Sequence, residues 1–316
     1  MTDSWDTLFT RAAGPHRDSV ILLPQRTGND DILVSSEAKP ANPPKEAEVP
    51  HEIDYQDYQM ALQFDRRASR LGALEPLVNA LIDGLHLGEE NRVLDIGSGT
   101  GRLGLLLYDK LPQGSVVGID SGRGMLRLAR EKTLQRGVEN FWLVRGEAES
   151  LPFLPRVFDS VCMMMSFHHF ADPERATREI HRILKPQGSL SSLDPILNEP
   201  KDSEDKRLNE AIEEAFQEAH GPDFRFFTVA QLQELYTKAA LSVESCQVNE
   251  VSFDQKGIEG IPMGPHWNQV RENLWFRREK DLLKKYEQEY FNFSTEGGQV
   301  MVRGKARWAV IRAVKG

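Results

Sequence analysis

Arg92-Val93-Leu94-Asp95-Ile96-Gly97-Ser98-Gly99-Thr100-Gly101-Arg102-Leu103-Gly104 decides how this chain is read. Val93, Leu94 and Ile96 make a short apolar run of the kind a buried strand requires. Glycines then alternate at Gly97, Gly99 and Gly101, and the apolar run Leu103–Leu107 follows at once. Strand, glycine-rich turn and helix in that order predict a nucleotide-cofactor loop. Glycine reaches positive φ and lets a ligand lie against bare backbone. The start of the following helix presents free N–H groups.

Two ligand classes fit this turn. Gly99-Thr100-Gly101-Arg102-Leu103-Gly104 satisfies G-x-G-x-x-G, the dinucleotide fingerprint, and Asp120 lies about 20 residues on, where a ribose-binding acid is expected. Asp95, an acid at the C-terminal end of the first strand, instead suits a ligand with an ammonium group and no pyrophosphate. Leu94–Gly101 resembles the first motif of class I S-adenosylmethionine-dependent methyltransferases.

The segments downstream favour the second reading. Ser115–Asp120, SVVGID, predicts a second buried strand with an acid at its tip, where a doubly wound sheet holds the ribose hydroxyls. Phe141–Val144 predicts a third strand, leading into Arg145-Gly146-Glu147-Ala148-Glu149-Ser150-Leu151-Pro152-Phe153. This is similar to the family segment G-D-A-E-x-L-P-F beside the adenine ring, with Glu147 in place of the family's Asp. Phe158–Met165 predicts the fourth strand; its methionines read as core filling. Ser166-Phe167-His168-His169-Phe170, completed by Asp172-Pro173, resembles the family's x-x-H-H-F-x-D-P turn. Arg182–Gly188 is similar to R-x-L-K-P-G-G, with Gln187 replacing one glycine, and Gly188–Asp194 predicts the fifth strand. A dinucleotide-dependent dehydrogenase predicts neither the Leu151-Pro152-Phe153 loop, nor the His168-His169 turn with Asp172-Pro173, nor the Leu184–Gly188 turn. The resemblance covers Tyr55–Asp194 and specifies the superfamily, not a substrate.

The resemblance implies an α/β fold: a doubly wound, seven-stranded, mostly parallel sheet of the Rossmann-like methyltransferase type, with an antiparallel last strand. It implies S-adenosylmethionine as cofactor and methyl transfer to a small-molecule acceptor by in-line displacement. The nearest group includes ubiquinone- and menaquinone-pathway methyltransferases. Cofactor contacts are expected from Asp95, Gly97, Ser98, Gly99, Gly101, Asp120, Ser121, Glu147, Ala148 and Ser166. His168, His169 and Asp194 are the candidate general bases. No metal is expected, since adjacent histidines rarely point the same way and no third ligand is evident.

The remaining sequence sets the domain plan. Residues 1–50 hold six of the 17 prolines and little helical periodicity, which predicts an extended or partly disordered arm. Residues 51–316 are read as the methyltransferase domain, with a cofactor half over 86–195 and substrate-side cap elements over 196–240 and 252–299. Tyr55, Tyr58, Leu62 and Phe64 fall near helical spacing; packing or exposure is the expected role of the two tyrosines, and bordering the ligands the alternative. Pro76 suits the first turn of a second helix. Asp194 is expected at the pocket mouth, orienting a nucleophile or capping a loop, and Phe224–Phe227 is an aromatic turn before a helix capped by Thr228. Leu241–Val251 and Val300–Val314 are expected to pair antiparallel at the sheet edge. The 48 residues between them exceed a hairpin loop, and a single helix is expected from about Asn268 to Tyr290.

Composition bounds the function. The net charge of −9 argues against a nucleic-acid partner, whose binding surface is normally basic. An RNA or protein methyltransferase is therefore the alternative reading, weakened further because no Asn-Pro-Pro-Tyr-type motif follows the fourth strand. A non-catalytic cofactor-binding scaffold is the third, motivated by Glu147 and Gln187. No apolar run reaches the roughly 20 residues of a membrane span. Cys162 and Cys246 stand far apart in sequence, which suits a reducing cytoplasm.

Overall fold

The computed structural model describes residues 21–22, 54–70 and 72–316. Most of the expected arm lies outside the described residues.

The sheet grows outward from the quoted stretch. Strand β2 (Arg92–Ile96) pairs in parallel with β3 (Ser115–Asp120), and β3 with β4 (Phe141–Arg145). The chain then crosses back, placing β5 (Phe158–Met164) in parallel on the other side of β2 and β6 (Leu184–Ile196) beside β5. Strand β9 (Gln299–Lys315) runs antiparallel between β6 and β7 (Leu241–Lys256). The seven-stranded order β4-β3-β2-β5-β6-β9-β7 is thus present as expected. Two additions extend it: β1 (Ile21–Leu22) pairs antiparallel with Leu143 and Val144, and β8 (Phe291–Glu296) pairs with β9.

The central strands are buried on both faces, as parallel strands under two helical layers must be. Along β2, Val93 belongs to one apolar cluster while Leu94 and Ile96 belong to the other; Val116 and Val117 divide in the same way on β3. One face is covered by α2 (Glu75–Asp83), α3 (Arg102–Tyr108) and α4 (Arg123–Gln135), the other by α5 (Pro173–Ile183) and α7 (Val229–Lys238). Asp172 caps α5 by accepting from the Arg175 N–H, with Pro173 at the first helical position. Thr228 and Gln231 form a reciprocal capping box at the start of α7. Helix α1 (Tyr58–Ala68) packs on α4 through Ala61, Met125 and Leu128.

Three expectations are corrected. The region after β7 holds two helices, α8 (Gly264–Phe276) and α9 (Lys280–Glu289), followed by β8, rather than one helix over Asn268–Tyr290. The break is a Schellman motif: Arg278 turns left-handed at φ 58°, its N–H reaches the Trp275 carbonyl and the Glu279 N–H reaches that of Leu274. Strand β7 runs to Lys256 because β9 continues opposite it, Lys256 facing Met301. Asp194 lies in the buried interior of β6, opposite Ala309, rather than at the end of the strand, and the backbone of Phe167 and His168 approaches its carboxyl.

Helix α6 (Ser203–His220) packs on α8 and α9, and His220 at its end stands against His169 beyond β5. Their shared core is aromatic: Phe216, Phe224, Phe226, Trp267, Tyr286 and Phe291 are all nearly inaccessible.

Candidate active site

Sequential strands diverge at β2 and β5, and a crevice outside their carboxyl ends is where open α/β sheets bind ligands. The quoted turn lies at that point. Gly97, Gly99 and Gly101 have φ of 69°, 52° and 75°. A Cβ on Gly97 would sit 2.3 Å from Cβ of Ser166, so only glycine fits there. Gly99 has open space where a Cβ would be. Ser166 donates from Oγ to the Ile96 carbonyl at 2.8 Å, tying the end of β5 to the end of β2. Met165 reaches that position by turning left-handed, at φ 56°.

Two carboxyl groups face the turn. Asp120, at the tip of β3, accepts from the Gly99 N–H at 2.8 Å through Oδ2 and from the Gly122 N–H at 2.7 Å through Oδ1. It therefore holds the glycine turn and the start of α4 in one geometry. Asp95 is 1% exposed, and its Oδ2 has no hydrogen-bond partner. Burial, helped by the neighbouring charge of Asp120, pushes its carboxyl up to about 7. Ser98 Oγ is likewise buried and without a partner. Glu147 is half-buried after β4, its carboxyl raised by burial and by Glu149 and Asp120, while Arg145 opposes the shift. Ala148 is buried beside it. Ser121 contributes its carbonyl, which accepts from Arg145 Nε and Gln56 Nε2, both at 3.3 Å. The ten expected cofactor residues thus lie on the strand ends and turns of one sheet edge.

Tyr55, Gln56 and Asp57 cross this edge before α1. The Gln56 amide oxygen accepts from the Arg123 N–H at 3.0 Å, and a Cβ on Gly124 would meet the Asp57 carbonyl at 2.3 Å. Tyr55 is half-buried near Asp120; burial, and after it the charge of Asp120, drives its hydroxyl above the ordinary phenol range. Tyr58 points away, toward Glu131 and Arg127, on the outer surface of α4. Both tyrosines pack against the Ala61–Met125–Leu128 cluster, as expected, and Tyr55 in addition stands beside His169 and His220.

The three candidate bases divide. His168 Nδ1 lies 2.7 Å from Asp194 Oδ1, both nearly inaccessible. Burial favours the uncharged form of each: His168 is lowered to about 3 and the Asp194 carboxyl is raised. Burial thus disfavours a net charge on the pair. His169 does not join it by hydrogen bond. Its ring sits 4.4 Å from that of His168, so the adjacent histidines do face one region, contrary to the expectation. His169 Nε2 is 3.5 Å from the Tyr55 hydroxyl, which also lies 3.3 Å from His220 Nδ1. His220 Nε2 is in turn 3.4 Å from His266 Nδ1. Phe224 packs against His168, His169 and His220. Among the described residues, no group of three or more His, Cys, Asp or Glu side chains is arranged to hold a metal ion.

Residues 93–188 match the family model for a methyltransferase domain. Over 103 residues the chain is 42% identical to a demethylmenaquinone methyltransferase of Thermus thermophilus, covering 33% of this chain and 46% of that relative. The chain spans about half the length of the curated relatives it matches (46% and 45% for two of them). The crystal structure of YcgJ from Bacillus subtilis superposes with a TM-score of 0.59 at 24% identity, covering 75% of this chain and 97% of that one. Phosphoethanolamine N-methyltransferase 2 of Haemonchus contortus, solved in complex with S-adenosyl-L-methionine, superposes with a TM-score of 0.50 at 17% identity, covering 76% and 52%. The matched stretch is similar to a methyltransferase domain, and the structural likenesses show the fold. Among the described residues, no helix is long and apolar enough to cross a membrane.

Proposed function

We propose that this chain binds S-adenosylmethionine at the β2–β3–β5 edge and transfers its methyl group to a small-molecule acceptor, with residues 51–316 acting as one methyltransferase domain. The observation that carries this reading is the pair of acids on adjacent strand tips. Asp95 keeps a buried oxygen without a donor, and Asp120 fixes the glycine turn. An orphaned carboxylate oxygen fits an ammonium donor, which supplies the hydrogen bond and the charge that burial withholds. Open backbone at Gly99 admits close approach of a ligand. Glu147 is the acid at the adenine end, and Ala148 is the small neighbour that leaves room beside it. Ser98 within the turn, Ser121 after β3 and Ser166 after β5 complete the edge.

When bound, the cofactor supplies an electrophilic methyl group on a sulfonium. The protein must then hold the acceptor in line with it and exclude water. Tyr55, Phe224 and the His168–Asp194 pair form an uncharged wall for this purpose. His169, neutral because burial lowers it, accepts a proton from an acceptor hydroxyl or amine. The demethylmenaquinone methyltransferase relative supports a small acceptor, as does the absence of a basic surplus.

The test is calorimetric titration with S-adenosylmethionine and separately with NAD, on the wild type and on Asp120→Ala. Binding of S-adenosylmethionine at about micromolar Kd, lost in the variant and with no binding of NAD, is the expected outcome. Binding of NAD, or of neither, overturns the reading.

A further inference from the structure

We propose that His220 and His266, on the cap, continue from His169 and Tyr55 as a hydrogen-bonded relay that carries a proton from the acceptor to the protein surface. The inference rests on the methyl-transfer reading above and extends it to residues outside the matched stretch 93–188.

The geometry is a chain of four groups on four different elements. His169 follows β5, Tyr55 precedes α1, His220 ends α6 and His266 begins α8. Successive contacts are 3.5 Å from His169 Nε2 to the Tyr55 hydroxyl, 3.3 Å from that hydroxyl to His220 Nδ1, and 3.4 Å from His220 Nε2 to His266 Nδ1. Each link uses a different atom of each ring. A neutral imidazole has one donor and one acceptor nitrogen, and a phenol hydroxyl does both. One orientation therefore satisfies every link. His169 Nε2–H donates to Tyr55, Tyr55 O–H donates to His220 Nδ1, and His220 Nε2–H donates to His266 Nδ1. Reversing every donor gives an equally complete chain, which is the property a proton wire needs.

The aromatic packing holds the middle of the chain in place. His220 is stacked on Phe224 at 4.8 Å with rings 25° apart, and on Phe216 at 9°. Phe216 also packs on His266. The charged and titratable groups facing the chain are few: Asp120 and the His168–Asp194 pair at the inner end, Arg67 of α1 at the outer end. Burial, and after it Arg67, disfavours a lasting positive charge on His266, so a proton delivered there is passed on to water. His266 is partly exposed, whereas His168 is buried.

The step balances as follows. The acceptor heteroatom gives its lone pair to the methyl carbon, and the C–S electron pair stays on sulfur in the thioether product. The acceptor's proton moves to His169 Nδ1. His169 releases Nε2–H to the Tyr55 oxygen, Tyr55 releases its proton to His220 Nδ1, and His220 releases Nε2–H to His266 Nδ1. His266 then loses its Nε2 proton to solvent.

The test uses the full chain labelled with ¹⁵N-histidine, with tritiated methyl transfer from S-adenosylmethionine to hydroquinone and to catechol as probe reactions. In the wild type, His169 and His220 are expected as neutral imidazoles through pH 6, and His266→Gln is expected to change the tautomer balance of His220. Tautomers of His220 that ignore His266→Gln, or a protonated His220 at pH 6, overturn the relay. With either probe, His266→Ala is expected to lower kcat about tenfold, leave binding of S-adenosylmethionine unchanged, and recover on addition of imidazole. A loss of kcat that imidazole does not restore, with wild-type His220 tautomers, also overturns it. Wild-type protein that shows the coupled tautomers and binds S-adenosylmethionine but methylates neither probe counts against the catalytic half of the relay. Failure to bind S-adenosylmethionine overturns the underlying function instead.

Discussion

Asp95 and Asp120 show how differently two acids of the same turn are used. Asp120 has donors for both oxygens, whereas Asp95 has a buried oxygen with none. Because burial raises Asp95 to about 7, the folded chain binds a proton there that the unfolded chain has already lost above its ordinary carboxyl range. The contribution of this group to stability is therefore highest below about pH 4 and is lost as pH rises to about 7. Asp95→Asn is expected to stabilise the ligand-free protein at pH 8, by up to about 4 kcal/mol, and to leave it unchanged at pH 4. Thermal melts at the two values test this. A cofactor ammonium beside Asp95 selects the ionised form, so binding below pH 7 should release close to one proton. Calorimetry in two buffers of different ionisation enthalpy would detect it, and buffer-independent heats would remove Asp95 from the ammonium site. Asp120→Ala is expected to weaken binding at least about 100-fold, roughly 2.7 kcal/mol, since the Gly99 and Gly122 N–H groups lose their acceptor.

At the scale of elements, the turn after α5 differs from the motif it resembles. Gln187 stands where the family has glycine, and it is exposed with φ 63°. A left-handed residue with a Cβ costs roughly 1 kcal/mol, so Gln187→Gly is expected to raise stability by up to about that amount, less the entropy glycine adds to the unfolded chain. Urea titration checks the sign, and a clear loss of stability would show that the Gln187 side chain contributes contacts. Gly97→Ala should do the reverse, costing several kcal/mol by clash with Ser166 and closing the cofactor turn. These cases also show what was legible. Strands β2 to β5 and the glycine turn were readable because buried parallel strands are apolar throughout and glycine marks positive φ. The α8–α9 break was not, because its left-handed residue is Arg278, for which composition carries no signal. Asp194 is buried because β6 continues past it to Ile196, whereas the apolar run alone predicts a strand ending at Asp194. Tyr55 meets His220 across 165 residues and His220 meets His266 across 46, contacts that no local period encodes.

Across the whole molecule, the cap is not an appendage resting on a finished domain. Phe216 of α6, Trp267 of α8, Tyr286 of α9 and Phe291 of β8 share one apolar cluster with Val93, Leu103 and Phe141 of the cofactor half. Trp267 is 2% exposed, stacks between Phe226 and Tyr290, and donates from Nε1 to the Pro262 carbonyl at 3.1 Å. The Tyr286 hydroxyl donates to the Trp267 carbonyl at 2.5 Å from within the same core. Removing the indole leaves a large cavity and an unpaired carbonyl, so Trp267→Ala is expected to cost about 3–5 kcal/mol. Because the cluster is continuous, that loss should appear in one cooperative transition seen alike by far-UV circular dichroism and by tryptophan fluorescence. The relay gives this continuity a functional consequence: His220 and His266 hold their register with Tyr55 only while Phe216 and Trp267 keep α6 and α8 together. A milder variant, Trp267→Phe, should retain S-adenosylmethionine binding while loosening the cap, and so lower turnover more than cofactor affinity. Two separated unfolding transitions, with the cofactor half melting at its wild-type temperature, would show instead that cap and cofactor half are energetically independent.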